Sequence, residues 1–339
     1  MGFTNFPNGL TSFGIPIYGS GGLFGPGCGD IYYLVGSRSV SDTYYNMLKN
    51  KGVSDSKIFT TLALAYGAYT SGQGDVIVAF PATYTVTASL TWDKDNTHLY
   101  GAGGPLSRGA MSGTTGDVLF NSTTITVANI IDVTADHVQF HNVQLRNAGA
   151  NAACLTALKV SAGRSFYAEG CHIVGHAAAT QVATAATSSL WFYSTGTTRP
   201  WGATFKNCRI GDAGEVVRTA GSVIYFSGTT GYTAKYITFD DCVIEGWCET
   251  ASVGTVDISA NYTIDRYLLF KNCLFYNYYV NNASTSTEVF DNGCGTTFNA
   301  ILFNSIQVGH AAWNTTGLNY FYGNAAAPAA TAGTAVVLT

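Results

Sequence analysis

Four cysteines return in one setting. FYAEGC, ATFKNC, ITFDDC and LLFKNC place Cys171, Cys208, Cys242 and Cys273 directly after a glycine or a short polar residue. Thiols can ligate metals, pair as disulfides or attack electrophiles. No two of the 8 cysteines are spaced CxxC, however, and 8 in 339 residues is not the density of a disulfide scaffold. Carboxylates come next, because glycan cleavage runs on paired acids. Asp212, Glu215, Glu245 and Glu249 are the ones that loops could gather into a pair. His137 and His141 are four apart, a spacing that converges on a metal from a helix but not from a strand. GSGGLFGPGCG (19–29) has neither the lysine nor the following helix of a phosphate cradle. The sequence therefore singles out no catalytic residue and no metal ligand, and no cofactor is expected.

The setting of those cysteines is a repeat. VQFHNVQLRNA, FYAEGCHIVGH, ATFKNCRIGDA, ITFDDCVIEGW, LLFKNCLFYNY and the weaker ILFNSIQVGH put their central residue at 143, 171, 208, 242, 273 and 305, with steps of 28 to 37 residues. Upstream of each lies IIDVT, LKVS, LWFYS, VIYFS, VDIS or EVFD, with key positions 133, 160, 193, 226, 258 and 290 and steps of 27 to 33. Two motifs advancing with one period mark a solenoid. Their content is short and alternating, which excludes helical repeats.

Side chains alternate along a straight strand, so Phe239 and Cys242 can both point inward only if the chain bends between them. The bend falls on Asp241, whose counterparts are Asn142, Gly170, Asn207, Asn272 and Asn304. These residue types tolerate the left-handed conformation of a tight corner. Three short strands per coil, an Asn-type corner ladder and an inward column of Cys171, Cys208, Cys242 and Cys273 predict an all-β fold, a right-handed parallel β-helix. In that fold the cysteines are a packing stack, each acting as a small hydrophobe.

The stacked Asn corner resembles the asparagine ladder of the pectate-lyase-like β-helix family. GDVIVAFPATYTVTASLTWDKDNTHLYGAG (74–103) is similar to the first coil of that family, with Ala82 where Gly is usual. The resemblance implies an amphipathic helix plugging the N-terminal end. A helix is expected to start at Ser54 or Asp55, to carry Ile58, Leu62, Ala65, Tyr66 and Tyr69 on one face, and to stop at Gly72. The expected organisation is an extended N-terminal arm (1–30), a cap with that helix (31–74), the β-helix (75–316) and an extended C-terminal arm (317–339).

The expected strands also fix what points outward. Outside the second strand the column reads His141, Glu169, Lys206, Asp240, Lys271 and Phe303, a ladder of opposite charges. Outside the first strand it reads Asp132, Lys159, Phe192, Tyr225, Asp257 and Val289, which offers no close carboxylate pair; Phe192 and Tyr225 are the aromatics that a host glycan would meet. Outside the third strand Gln144, His172 and Arg209 give way to Val243, Leu274 and Ile306, with Tyr276 and Val308 nearby. An outward apolar patch marks an interface, and Val243, Leu274, Tyr276, Ile306 and Val308 are expected to join copies of this chain as a homotrimer.

Composition narrows the partners. Charged residues are only 11% of the chain, with net charge -4 and no basic stripe, so neither nucleic acid nor an anionic membrane is an expected partner. The start MGFTNFPNGLTSFG lacks the basic-then-apolar pattern of a secretion signal. It resembles the opening of β-helix proteins encoded among bacteriophage structural genes. That resemblance implies a virion component assembled in the host cytoplasm, with capsid or other virion proteins as partners. A capsid decoration (cement) protein projecting a β-helix trimer is the expected role. The alternative is a tailspike that binds or cleaves host polysaccharide, as a polysaccharide lyase or glycoside hydrolase.

Overall fold

Each repeat folds into three short strands that pair with their counterparts one period away. The structure is a computed structural model that describes residues 10–12, 15–18, 29–103, 117–178, 184, 186–195, 198–212, 216–218, 220–229, 233–248, 253–259, 262–278, 288–291, 299–310, 312–313, 319–322 and 334–335. Among these, three all-parallel sheets run along the molecule, holding 6, 12 and 8 strands. A representative coil has its first strand at Ile224–Gly228, its second at Thr233–Asp240 and its third at Val243–Gly246. The next coil repeats this at Val256–Ile258, Thr263–Lys271 and Leu274–Asn277, in parallel register throughout. The chain is a right-handed parallel β-helix.

Burial in the coil interior holds the stack together. Phe205, Phe239 and Phe270 lie one above the other, with ring centroids 5.1 and 4.8 Å apart and planes within 16°. Phe192 and Phe226 stack likewise at 4.6 Å. All five rings are fully buried. Each contributes roughly 1.5–3 kcal/mol by leaving water, and each ring pair adds about 0.5–1.5 kcal/mol.

The corner is left-handed in six successive coils. Asn142, Asn207, Asp241, Asn272 and Asn304 have φ between 49 and 54°, and Gly170 has φ 63°. A Cβ at Gly170 would stand 2.5 Å from the Asn142 Oδ1 of the neighbouring coil, so glycine here also makes room for the ladder. A second left-handed position lies just before the second strand at His137, Ser165 and Gly202, and within the longer second strands at Tyr236 and Arg266. Sequence types such as Tyr and Arg give no sign of it.

The cap departs from expectation in its boundaries. Ser54 caps only a single 3-10 turn, Asp55–Lys57, and Ile58–Phe59 is a short strand. The helix is Leu62–Gly67, capped by Thr61, whose hydroxyl accepts from the Leu64 N–H. Ile58 is thus off the helix, because strand pairing with Tyr33 claims it first. A further helix, Thr43–Asn50, is capped by Asp42, which accepts from the Tyr44 and Tyr45 N–H groups. Leu62, Ala65, Tyr66 and Tyr69 bury one face. Tyr66 packs on Trp92 at 4.6 Å, closing the open end of the first coil. Lys94 Nζ donates to the carbonyls of Tyr66, Gly67 and Tyr69, the acceptors that a helix end leaves unfilled.

The two terminal segments are not wholly extended arms. Leu10–Ser12 and Ile15–Tyr18 pair antiparallel. Asn319–Tyr322 adds in parallel to Asn299–Phe303, and Thr334–Ala335 adds to Asn319–Tyr322. The expected C-terminal arm therefore begins by extending the long sheet; most of the remaining residues of both arms lie outside the described ones.

Candidate functional site

The first-strand sheet carries one continuous outward row of chemistry. Its pairing sets Thr91, Asp132, Lys159, Trp191, Tyr225 and Asp257 in successive coils, about 4.8 Å apart along the axis. Trp191 stands where Phe192 was expected. Phe192 is fully buried, paired with Val160 and stacked on Phe226. LWFYS is apolar at both alternations, so its pattern does not say which set faces in.

The register of the following coil brings two carboxylates together. Val289 was expected outward, but it is fully buried, and Phe290 bridges in parallel to Val256. That register sets Asp291, not Val289, beside Asp257, so the face does hold a close carboxylate pair. Burial, followed by repulsion from Asp291, raises the Asp257 pKa to about 7. Burial and the neighbouring Asp257 also push the Tyr225 phenol up.

The other end of the row is tied down by ion pairing. Asp132 Oδ2 lies 3.2 Å from Lys159 Nζ, and its Oδ1 accepts from Ser161 Oγ at 2.5 Å. Lys159 Nζ sits 5.0 Å over the Trp191 ring and 4.6 Å over that of Tyr193. Trp191 donates from Nε1 to Ser227 Oγ at 2.8 Å, which fixes its plane, and it lies 6.0 Å from Tyr225. Half-buried aromatics in a row, with hydrogen-bonding acids beside them, can stack on the apolar faces of sugar rings while accepting from their hydroxyls. An acid that is half-protonated near neutrality, next to a second carboxylate, can also hand over or take a proton.

A second polar group lies outside the third strand. Of the loop carboxylates singled out from the sequence, Asp212 and Glu245 are described and buried, while Glu215 and Glu249 lie outside the described residues. Glu245 pairs with Arg209 and accepts from the Tyr278 hydroxyl at 3.2 Å. Burial raises the Glu245 pKa against the pull of Arg209. Buried His172 is pushed down to about 4, and its Nε2 lies 3.0 Å from the Gly211 carbonyl oxygen. Neutral His172 and the Arg209–Glu245 pair make this a structural cluster.

The remaining sequence-derived residues are placed as follows. Cys171, Cys208, Cys242 and Cys273 are buried and free, stacked at the inward position after the corner. Each thiol donates to two carbonyls: Cys242 Sγ reaches Phe205 O and Asp240 O, both at 3.4 Å. Ser305 repeats the pattern with Phe270 and Phe303. Asn304 Nδ2 donates to Asn272 Oδ1 at 2.8 Å along the corner ladder. In the charge column Lys206 meets Glu169 at 3.6 Å and Lys271 meets Asp240 at 3.2 Å. Ile306 and Val308 are exposed by 58% and 45%, while Val243, Leu274 and Tyr276 are half-buried. Among the described residues no three His, Cys, Asp or Glu side chains gather as for a metal ion, and no helix is long and apolar enough to cross a membrane.

No known family matches the sequence, and no curated protein matches it. Solved structures match the fold. Pectate lyase Pel9A overlays on 87% of this chain and 68% of its own at TM-score 0.54 and 14% identity. A pectin methylesterase from carrot covers 92% of this chain and 89% of its own at TM-score 0.52 and 12% identity. ORF18 of Geobacillus virus E2 overlays more loosely, on 76% of this chain and 48% of its own at TM-score 0.43 and 14% identity. At these identities the likeness is one of architecture: the chain has the pectate-lyase-like, right-handed parallel β-helix fold.

Proposed function

We propose that this protein is a glycan-binding component of a bacteriophage virion, with the outer face of the first-strand sheet as its saccharide site. The observation that carries the reading is the row Trp191, Tyr225 and Asp257, flanked by Lys159 and Asp291. Coil spacing of about 4.8 Å approaches the length of one sugar unit, so a glycan lying along the axis meets one coil per residue. Names of structures sharing the fold, a pectate lyase and a pectin methylesterase, agree with polysaccharide as the partner. The virion assignment is supported by the charge-poor, hydroxyl- and amide-rich composition and by the resemblance of the opening MGFTNFPNGLTSFG. The test is binding of purified protein to host-envelope polysaccharide. Trp191→Ala should abolish binding, and undiminished binding overturns the site. Release of oligosaccharides would turn the reading from binding to cleavage, with the Asp257 and Asp291 carboxyls as its acid and base.

A second reading concerns where on the particle the protein sits. Exposed Ile306 and Val308 at the C-terminal end of the coil stack favour assembly into a trimer, as a capsid decoration protein would form. Cryo-electron microscopy of the particle separates shell from tail.

A further inference from the structure

The corner between the first and second strands gathers cations in a chain that has few. Lys and Arg together number 16 in 339 residues, yet Arg164, Arg199 and Lys235 all face one tryptophan, with Arg266 beside them. Arg164 Cζ lies 5.2 Å, Arg199 Cζ 6.0 Å and Lys235 Nζ 5.3 Å from the centre of the Trp201 ring. Parallel bridges put Arg164, Trp201 and Lys235 in successive coils at one level, so the ring is a fixed post between cations from the coils on either side. Trp201 is itself 37% exposed, and the cluster opens to solvent.

Its charge is incompletely answered. Asp265 pairs with Lys235 at 2.5 Å and with Arg266 at 3.6 Å. Lys235, Arg266 and Arg199 hold its carboxyl below the usual range, the hydrogen bond from Lys235 foremost. Asp136 uses its Oδ1 on the Arg164 backbone N–H, not on the guanidinium. Among the described residues no carboxylate pairs with the guanidinium of Arg164 or Arg199. The backbone under the cluster is held in left-handed conformations at Ser165, Gly202, Tyr236 and Arg266, three of them at residues that disfavour it. Non-glycine residues in such conformations recur at ligand clamps.

We propose that the Trp201 corner is a second binding site, for an anionic group on a saccharide: a carboxylate or phosphate held by Arg164 and Arg199. Tryptophan holds the guanidinium planes in place from one side, leaving their N–H edges for a planar or tetrahedral anion. The site is separate in charge from the Trp191 row, whose acids would repel the same group.

The test is titration of the full chain with two charged probes, tetragalacturonate for the carboxylate and glucose 6-phosphate for the phosphate, against maltotetraose and glucose as neutral controls. Tryptophan fluorescence and calorimetry are the readouts. Wild-type protein should bind at least one charged probe, more weakly as salt rises, and the doubly substituted Arg164→Gln/Arg199→Gln protein should lose about tenfold or more in affinity. Lys206→Gln, which removes a surface cation outside both sites, should leave this binding unchanged, and glucose 6-phosphate, too short to span the saccharide row, separates failure here from failure of that row. Equal affinity in the double variant, tighter binding of duplex DNA, or no binding of either charged probe at millimolar concentration overturns the proposal. A melting temperature equal to wild type shows that the variant is folded.

Discussion

Asp291 stands beside Asp257 because Phe290, not Glu288, bridges to Val256 in the preceding coil. Two carboxylates on adjacent strands of one sheet face cannot both ionise without cost, and Asp257 has its pKa raised from 3.8 to about 7 by burial and by Asp291. The folded state therefore holds the Asp257 proton more tightly than the unfolded chain does. Its contribution to stability is full below the unfolded value near pH 4, and it is lost as pH rises through 7. Asp257→Asn should accordingly stabilise the protein by on the order of 2–4 kcal/mol at about pH 8 and by little near pH 4. Denaturant melts at the two pH values check this; an equal effect at both contradicts it.

The corner ladder depends on residues that accept φ near 50°. Asn207→Ala places a β-carbon in that conformation without the amide to offset it, and should cost about 1–2 kcal/mol, while Asn207→Gly should cost less. Thermal melts of the two variants give the comparison, and a reversed order would mean that side-chain stacking outweighs backbone strain.

The cysteine stack should behave as packing. Ser305 already makes the contacts that Cys242 makes, so Cys242→Ser should fold with a modest loss, whereas Cys242→Leu forces extra volume behind the corner and should cost about 1–3 kcal/mol. Burial pushes the Cys208 thiol well up. All four stacked thiols are buried, so they should resist a thiol reagent until the chain unfolds, and labelling of any of them in the native protein would show that the column opens.

The corners were legible because left-handed backbone restricts residue type, and Asn, Asp or Gly recurs there in six successive coils. The second left-handed position was not, since Ser165, Tyr236 and Arg266 share no such type. The site suffered from register. LWFYS and EVFD each offer apolar residues to both faces, so only pairing with neighbouring coils decides that Trp191 and Asp291 point out. The cap misled for a related reason: Ile58 fits a helical face by spacing, but pairing with Tyr33 takes it into a strand. Arg164, Trp201 and Lys235 lie in separate coils at an irregular corner, and nothing in their spacing announces that they meet.

Buried Glu245 should be worth more as a partner than as a charge. Glu245→Leu leaves Arg209 facing a desolvated site and the Tyr278 hydroxyl without this acceptor, for a loss of about 3–5 kcal/mol. Replacing Arg209 by Leu in the same protein should recover part of that loss, and a double-mutant cycle measures how much. Strict additivity of the two substitutions would place the pair among weakly coupled surface charges.

The exposed end of the third-strand face gives the last expectation. Leu274 pairs with Ile306 and Tyr276 with Val308, so these side chains form a single outward patch across adjacent coils. Burying Ile306 and Val308 against a second copy would gain roughly 1.5–3 kcal/mol per side chain, repeated at each contact of a closed ring. Ile306→Asp puts a charge at the most exposed point of that patch, at 58%, where it disturbs no buried neighbour within one chain. Light scattering should then fall from a multiple of 35.8 kDa to that mass itself while the melting temperature of the isolated coil holds. An unchanged mass in the variant means that this face is not where copies meet.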